Sequence, residues 1–290
     1  MPLQPLLLKG ECNATNEAIL GNIEETLKTQ YTPLVTDHGF DTPISVVGAG
    51  PSLARTYQDL TGDVMACNSA HDYLLLKGIT PKYAMFWDAN PILADLFTPV
   101  EGVTYLVASR CHRKVFLKLK GHKVIVWHTL GDVCLEKLLA KYGKKEPMVA
   151  GGSSGVTRGL FLAGAMGYTK EIHLFGVDGC YEGEKSHVNG GVDSGRMQIV
   201  VRGKWFVVSP WMAMQGEHFK MLLPVLQQFK LRLIVHGTGL IPYLATFMGC
   251  ETPDMKVGIL EQMRRNIHSA LELYATLREP QLLGGLHAGV

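Results

Sequence analysis

Short apolar runs alternate with polar or helical stretches along the first half of the chain. The stretch 16–30 places apolar residues at helical spacing, which predicts an amphipathic helix ahead of the first run. The runs have the length and residue types of buried strands, and they occupy 44–48, 63–67, 83–87, 103–108 and 123–127. Because each run is followed by a polar or helical segment, the pattern predicts a parallel sheet with helices on both faces.

The second half continues this alternation around one long interruption. The predicted elements are helices at 156–166 and 212–229, strands at 171–176 and 231–235, and a turn at 238–242. The stretch 181–203 is rich in Gly, Ser, Asn and charged residues, which predicts a long loop of the kind that forms lids or substrate platforms. A last apolar stripe predicts a helix at 256–277, which either joins the core or forms a contact between subunits. We interpret it as core, and a homo-oligomer stays an open hypothesis.

The run 44–48 leads into Gly48-Ala-Gly-Pro-Ser52, which predicts a tight loop that faces a ligand. We expect the two glycines to allow positive φ angles and to let an anion approach main-chain N–H groups. Pro51 suits the first turn of a helix, whose N-terminus favours a phosphate. The third glycine of the dinucleotide fingerprint is absent, since Arg55 and Thr56 follow. The alternative is a strand-to-helix turn without a ligand.

The predicted fold class is therefore α/β, a Rossmann-like, doubly wound and mainly parallel sheet with helices on both faces and a long loop or lid insertion. We expect three parts along the chain: an N-terminal helical extension at 1–43, a Rossmann-like nucleotide-binding domain at 44–250, and a C-terminal helix and tail at 251–290.

Polar residues follow several of the predicted strands. Ligands of open parallel sheets gather beyond the carboxyl ends of the strands, where such side chains converge. The residues at these ends are Ser52, Asn68, Asp88 with Asn90, Ser153 with Ser154, and Asp178. Each of them alone is also a common helix cap or turn residue. Their recurrence at five strand ends favours a binding site.

The stretch Gly151-Gly-Ser-Ser-Gly155 predicts a second group of N–H donors and hydroxyls at a helix start. It lacks the lysine of a Walker loop, so it is not a P-loop. Asp88 and Asp178 have three possible roles: ligands of Mg²⁺, acceptors of sugar hydroxyls, or structural caps. We predict Asp88 as the metal ligand, with Mg²⁺ as the cation.

A histidine is the side chain best suited to act as general base near neutral pH. His187 in the long loop is the first candidate, and His218 in a later helix is the second. We assign catalysis to His187 and Asp88, although a single histidine is more often structural. No serine triad is predicted, because 152–155 lacks the Gly-x-Ser-x-Gly elbow.

Composition narrows the classes of function. The 290 residues carry a formal net charge of +2 without a long basic run, so nucleic acid is disfavoured as a partner. The six cysteines are scattered without a Cys-x-x-Cys pair, which indicates no structural zinc and favours a cytoplasmic location. The apolar run near the N-terminus is much shorter than the roughly 20 residues of a membrane-spanning helix, so no membrane span and no signal peptide are predicted.

Four motifs in this order resemble one superfamily: Gly48-Ala-Gly-Pro-Ser-Leu53, Asp63-Val-Met-Ala-Cys-Asn68, Ser153-Ser-Gly-Val156 and Gly167-Tyr-Thr-Lys-Glu-Ile-His-Leu-Phe-Gly-Val-Asp178. They are similar to those of bacterial family-42 sialyltransferases, whose Rossmann-like domain moves a sugar from a CMP-sugar to an acceptor hydroxyl. The stretches 76–81 and 176–187, with Asp88 between them, are similar to a sister family. That family is named after the archaeal MptE-type 6-hydroxymethylpterin diphosphokinases and includes flagellin-glycosylation proteins.

The resemblance implies a nucleotide site. By position, Gly48, Gly50, Pro51 and Ser52 line the phosphates, Asn68 contacts the donor, Ser153, Ser154 and Gly155 hold a phosphate or sugar carboxylate, and Asp178 meets ribose or cytosine. Two positions depart from the sialyltransferases: Ala49 stands where they carry Asn, and 207–211 lacks their catalytic His.

Three hypotheses follow from the residues and the resemblance. The first is a glycosyltransferase-like enzyme that moves a sugar from a nucleotide-activated, CMP-type donor to an unidentified hydroxyl acceptor. The second is a diphosphokinase that moves pyrophosphate from ATP to a hydroxymethyl group, with Mg²⁺ held partly by Asp88. The third is a nucleotide- or sugar-binding module without catalysis.

Overall fold

The computed structural model describes residues 14–36, 39–190, 195–229, 231–255 and 267–268. The strands in chain order are β1 (Thr32–Pro33), β2 (Ile44–Val47), β3 (Asp63–Cys67), β4 (Tyr83–Phe86), β5 (Thr104–Ala108), β6 (Lys123–Thr129), β7 (Met148–Val149), β8 (Glu171–Phe175), β9 (Met197–Val201), β10 (Lys204–Val208) and β11 (Arg232–Val235). The α-helices are α1 (Asn16–Leu27), α2 (Leu53–Thr56), α3 (Ala70–Leu76), α4 (Arg113–Lys118), α5 (Leu135–Lys141), α6 (Gly155–Ala165), α7 (Pro210–Gln227) and α8 (Leu240–Thr246).

Nine strands within these ranges form one sheet, in which every pairing is parallel. The order is β1-β6-β5-β4-β3-β2-β8-β11, and β7 pairs with the end of β6. From β2 the chain adds strands in one direction as far as β6, and it later places β8 and β11 on the other side of β2. The order therefore reverses between β2 and β8, whose carboxyl ends form the topological switch point. The predicted fold class is confirmed.

Helices cover both faces of the sheet. Val46 of β2 lies in the large core with Leu160 of α6. Its neighbour Val47 lies in a second core with Leu53 of α2 and Leu74 of α3. Because successive side chains of a strand point to opposite faces, α6 lies on one face and α2 and α3 lie on the other. Burial on both faces explains why the run is almost continuously apolar.

Helix α1 is attached to the carboxyl edge of the sheet. The side-chain amide of Asn22 donates to the carbonyl oxygens of Ala89 (3.2 Å) and Arg110 (2.9 Å), which follow β4 and β5. The hydroxyl of Thr26 donates to the carbonyl oxygen of Ser109 at 3.0 Å. Asn22 and Thr26 are buried, and each such bond contributes about 1 kcal/mol to stability. The helix thus fixes the loops after two central strands.

Two segments differ from the sequence prediction. The predicted loop 181–203 contains β9, which pairs antiparallel with β10 through a turn at Arg202 and Gly203. Its alternation of exposed and half-buried residues is that of a hairpin, and the many glycines and charges around it obscured this pattern. The predicted turn 238–242 leads instead into α8, whose first turn accepts Pro242 because an N–H there has no partner within the helix.

The predicted helix 256–277 lies outside the described residues except for 267–268, which are helical. Within the described ranges, none of the helices is long and apolar enough to cross a membrane. The cysteines of the described ranges are free thiols: Cys67, Cys111, Cys134, Cys180 and Cys250.

Candidate functional site

Loops from three neighbouring strands meet at the switch point. The loop 48–52 follows β2, and its Gly50 N–H donates to the carbonyl oxygen of Gly176, which follows β8 (2.8 Å). The Ser52 N–H donates to Oδ2 of Asp178 at 2.9 Å. A Cβ at Gly237, which follows β11, would lie 2.5 Å from Oγ of Ser52. These contacts place the predicted residues Gly50, Ser52 and Asp178 together.

The glycines of the loop 48–52 are required by close packing. A Cβ at either Gly48 or Gly50 would lie 2.6 Å from the carbonyl oxygen of Gly176, where ordinary contacts begin at 3.4 Å. Neither glycine has the positive φ that the sequence led us to expect, so that expectation is wrong. The close approach that the glycines allow is made by the Gly176 carbonyl of the protein itself, and the approach of an anion stays a prediction. The carbonyl group of Gly176, which follows β8, occupies the space that a side chain would fill.

The main-chain donors of this loop are mostly engaged. The N–H groups of Gly48, Gly50 and Ser52 donate to Phe175, Gly176 and Asp178, respectively. Helix α2 has only four residues, and Pro51 precedes it instead of lying in its first turn, so the expected helix dipole is small. The hydroxyl of Ser52 is buried beside the carboxylate of Asp178, whose pKa it lowers.

Asp178 is a buried carboxyl at the centre of these contacts. Its side chain accepts the Ser52 N–H, and the residue is 5% exposed. Burial raises the pKa of Asp178, and the hydrogen bond from Ser52 opposes this shift. A buried carboxyl of this kind accepts hydrogen bonds well from hydroxyl groups when it is ionised.

Asn68 follows β3 and lies at the same carboxyl edge of the sheet. It has a left-handed backbone (φ 49°), and its side-chain oxygen is buried without a partner. A Cβ at Gly155 would lie 3.2 Å from the side-chain nitrogen of Asn68. A Cβ at Gly48 would collide with Val156. The loop after β2, the residue after β3 and the first turn of α6 therefore form one continuous surface.

The two serines before α6 have different partners. Ser154 caps the helix, and its hydroxyl forms a reciprocal pair of bonds with Thr157. The hydroxyl of Ser153 lies 2.7 Å from Nδ1 of His218 on α7. The sequence placed His218 second among the candidate bases and gave no sign of this contact, because 65 residues separate the two side chains. This contact fixes the orientations of the Ser153 and His218 side chains beside the N-terminus of α6.

His187 lies in a segment that is bound to the loop 48–52. The neighbouring Val188 N–H donates to the carbonyl oxygen of Ala49 at 2.8 Å, and Nδ1 of His187 lies 3.0 Å from the hydroxyl of Ser186. The His187 side chain is exposed, yet the protein atoms packed around its ring lower its pKa by desolvation. The imidazole is therefore unprotonated near neutral pH, as a general base must be.

Asp88 lies farther along the edge. It follows β4, two strands from β2, which corresponds to about 10 Å at the usual strand spacing. Its Oδ1 accepts the N–H of Asn90 at 2.9 Å, which is the geometry of a turn. In the described ranges no three His, Cys, Asp or Glu side chains gather as a metal site. The structure thus separates Asp88 from the loops at the switch point.

Sequence reasoning missed charged residues at two other strand ends. Arg110 follows β5 and Asp132 follows β6, and they form an ion pair of 2.7 Å. Applying the strand-end rule to every strand would have found both. A groove of about 800 Å³ that includes Thr26, Phe116 and Val126 in its lining lies elsewhere and shares no residue with the switch-point loops. Its lining carries none of the predicted site residues.

Comparisons with known proteins agree with the motifs. Residues 17–184 match the family model described as 6-hydroxymethylpterin diphosphokinase MptE-like. The fold is similar to that of the MAf glycosyltransferase from Magnetospirillum magneticum AMB-1, with a TM-score of 0.56 and 17% identity over 86% of this chain. This chain spans 42% of the length of that protein. No curated protein sequence matches the chain.

Proposed function

The chain belongs to the MptE-like family, and we propose that it is a nucleotide-dependent transferase that uses a nucleotide-activated, CMP-type sugar. The observation that carries this proposal is the meeting of Ser52, Asn68, Asp178 and the α6 N-terminus at the topological switch point. Crevices at this position are where open parallel sheets bind nucleotides. The fold of the MAf glycosyltransferase is compatible with the same use of the sheet.

The proposed roles of the site residues follow from the polar groups that each of them offers to a ligand. The side-chain oxygen of Asn68 is buried without a hydrogen-bond partner, and a buried polar group of this kind needs one. The first turn of α6, which starts at Gly155, presents N–H groups to a phosphate or a sugar carboxylate, and Ser153, ahead of the N-cap Ser154, adds a hydroxyl. Asp178 accepts from ribose or cytosine. The bottom of the phosphate site is formed by Gly48, Gly50 and Pro51.

The transfer is a direct displacement. The acceptor hydroxyl attacks the sugar carbon, the bond to the phosphate breaks, and the nucleotide leaves with the electron pair. His187 takes the proton of the acceptor hydroxyl, since its lowered pKa keeps it unprotonated near pH 7. The helix dipole of α6 stabilises the charge that develops on the leaving phosphate.

A diphosphokinase activity is the second candidate, and the family description favours it. In that case ATP would be the donor, and Asp88 would supply one carboxylate to a Mg²⁺ ion that offsets the charge of the phosphates. A single protein carboxylate is sufficient for such a site because Mg²⁺ keeps several waters and binds the phosphates directly.

Thermal unfolding in the presence of CMP, CDP, UDP, GDP, and ATP with and without Mg²⁺ separates the two activities. A ligand that binds only the folded state at 100 times its Kd stabilises the protein by about 2.7 kcal/mol. Stabilisation by cytidine nucleotides without metal supports the sugar transferase, and stabilisation by ATP with Mg²⁺ supports the diphosphokinase. No stabilisation by any nucleotide contradicts both.

The variant Ser52→Tyr checks the location of the site. Ser52 is 1% exposed and lies beside Gly237, so a tyrosine ring at this position fills the space between the loops that follow β2 and β11. We expect the nucleotide response to be lost. Gly21→Ala is the matched control, because nothing lies within 4 Å of a Cβ at Gly21. Unchanged binding by Ser52→Tyr would place the nucleotide elsewhere.

The free thiols of the described cysteines support a cytoplasmic location as part of this proposal. Burial raises the pKa of Cys180 to about 11, so that thiol is unreactive at neutral pH.

A further inference from the structure

A second group of charged side chains lies on the carboxyl edge of the sheet, away from the switch point. Trp87 follows β4, Arg110 follows β5, Asp132 follows β6, and Arg158 lies on α6, which follows β7. These strands are neighbours in the sheet, so their ends come together. The guanidinium carbons of Arg110 and Arg158 lie 4.9 and 5.2 Å from the centre of the Trp87 ring. We call this group the arginine cluster.

The arginine cluster contains a donor and an acceptor whose hydrogen bonds are unmet. Nη1 of Arg110 donates to Oδ1 of Asp132 at 2.7 Å, but Oδ2 of Asp132 is buried and has no partner. The Asp132 side chain is 5% exposed. Nε of Arg158 is also buried without a partner, and its Nη1 reaches the carbonyl oxygens of Leu130 and Val149 only at 3.4 Å. Buried polar groups are almost always hydrogen-bonded, so these two atoms indicate a place for a ligand.

The charges of the arginine cluster favour an anion. Arg110 is paired with Asp132, whereas Arg158 forms no ion pair with a carboxylate of the described residues. Burial lowers the pKa of Arg158 to about 10, and burial raises the pKa of Asp132. Arg158 stays protonated at neutral pH. Its burial removes water from the guanidinium group, and a negatively charged ligand would replace the interactions that this water made. The Asp88 carboxylate, which follows Trp87, accepts the Asn90 N–H and forms no ion pair with Arg158.

We propose that the arginine cluster binds an oxyanion, a carboxylate or a phosphate, that belongs to the acceptor substrate and has a hydroxyl or N–H group beside it. An oxygen of the anion accepts from Nε of Arg158, and the adjacent donor binds Oδ2 of Asp132. Arg110 holds Asp132 in place through their ion pair. The assignment to the acceptor rests on the proposed transferase function, whereas anion binding by Arg158 stands without it.

Anion binding is measured on the full chain without nucleotide, by thermal unfolding at constant ionic strength set with sodium chloride. The probes are inorganic phosphate, lactate and propionate, and the last two share a carboxylate and differ in the hydroxyl beside it. Phosphate or lactate at ten times its Kd is expected to raise Tm by roughly 3 °C. Lactate is expected to bind more tightly than propionate, since it alone can donate to Asp132.

Arg158→Gln tests the assignment because it leaves the ion pair of Arg110 with Asp132 intact. We expect it to weaken phosphate and lactate binding about tenfold or more, as for the loss of a charged hydrogen bond. Arg113→Gln, an exposed arginine of α4, is the matched control and is expected to bind as the wild type does. Asp132→Asn keeps an acceptor for Arg110 and is expected to remove the preference for lactate over propionate.

Equal binding by Arg158→Gln and the wild type, or no phosphate response up to about 100 mM, overturns the proposal. If Arg158→Gln does not fold, Arg158→Lys is the second variant: it keeps the charge without the guanidinium fork, and its binding is expected to fall between the other two. A lactate preference that survives in Asp132→Asn overturns the role of Asp132. These titrations contain no nucleotide, so their failure is distinct from a failure of Ser52→Tyr in the nucleotide test.

Discussion

The substitution Gly50→Ala tests the packing that holds the loop 48–52 against β8. A Cβ at Gly50 would lie 2.6 Å from the carbonyl oxygen of Gly176 and closer still to Oδ2 of Asp178. Ordinary contact begins at 3.4 Å and the nearest atom, Oδ2 of Asp178, would lie at 2.4 Å, so the loop must retreat by about 1.0 Å. The neighbouring atoms are a main-chain carbonyl and a buried carboxylate, neither of which can turn aside as the end of a flexible side chain can.

The retreat stretches two hydrogen bonds. The Gly50 N–H to Gly176 bond of 2.8 Å and the Ser52 N–H to Asp178 bond of 2.9 Å both pass the usual limit of about 3.2 Å for an N–H···O bond. Each bond is worth about 1 kcal/mol, and a buried acceptor left unsatisfied costs about 1 to 3 kcal/mol. We expect a destabilisation of about 3 kcal/mol, which lowers Tm by roughly 6 to 12 °C in a protein of this size.

Chemical and thermal unfolding of Gly50→Ala measure this change directly. Gly21→Ala makes the same chemical substitution in the middle of α1, where a Cβ meets nothing within 4 Å. It is expected to stabilise the protein by up to about 1 kcal/mol, because glycine is a poor helix former. A Tm of Gly50→Ala within about 1 °C of the wild type would refute the close approach of this loop to β8.

Three further predictions concern titration, catalysis and donor binding. Burial raises the folded-state pKa of Asp178 above the ordinary 3.8, so its ionised form costs stability at neutral pH, and this cost disappears as pH falls through the raised pKa towards 3.8. Asp178→Asn keeps an acceptor for the Ser52 N–H, and urea unfolding is expected to show it more stable than the wild type at pH 7, with a gap that narrows towards pH 4; a gap that widens contradicts this cause of the shift. In a donor-turnover assay, His187→Gln is expected to lower kcat by about 10²-fold or more at unchanged donor KM. His218→Gln is expected to raise donor KM with little change in kcat, because His218 orients Ser153; the reverse pattern would make His218 the base.

The sheet was predictable from sequence because its strands are short, apolar and buried on both faces. The run 63–67 coincides with β3, and the residues after β2, β3 and β8 lie where the parallel-sheet rule places them. The predicted φ angles of Gly48 and Gly50 were wrong, since a glycine can serve either a positive φ or a close approach. Only the position of β8, more than 120 residues later, decides between the two.

The contacts that define the site are long-range, which is why the sequence could name residues without pairing them. Ser153 and His218 are 65 positions apart, and Ser52 and Asp178 are 126 apart. The hairpin of β9 and β10 was missed for a local reason: two short strands with a Gly turn among charged residues resemble a loop in composition. Arg110 and Asp132 were missed because isolated charges after a strand are usually solvated.

The order of strands connects the two proposed sites. Along the carboxyl edge the sequence is β8, β2, β3, β4, β5, so the switch point and the arginine cluster are separated by β3 and by Asn68 at its end. Helix α6 links them as well, because Gly155 approaches Asn68 and Arg158 is three residues later, a rise of about 4.5 Å along the helix. In the proposed transfer, a nucleotide between β2 and β8 would direct its phosphates along α6, and an acceptor held at Arg158 would approach from the other side. The two proposed substrates would then meet over β3, near the unpartnered side-chain oxygen of Asn68 and the pair of Ser153 and His218.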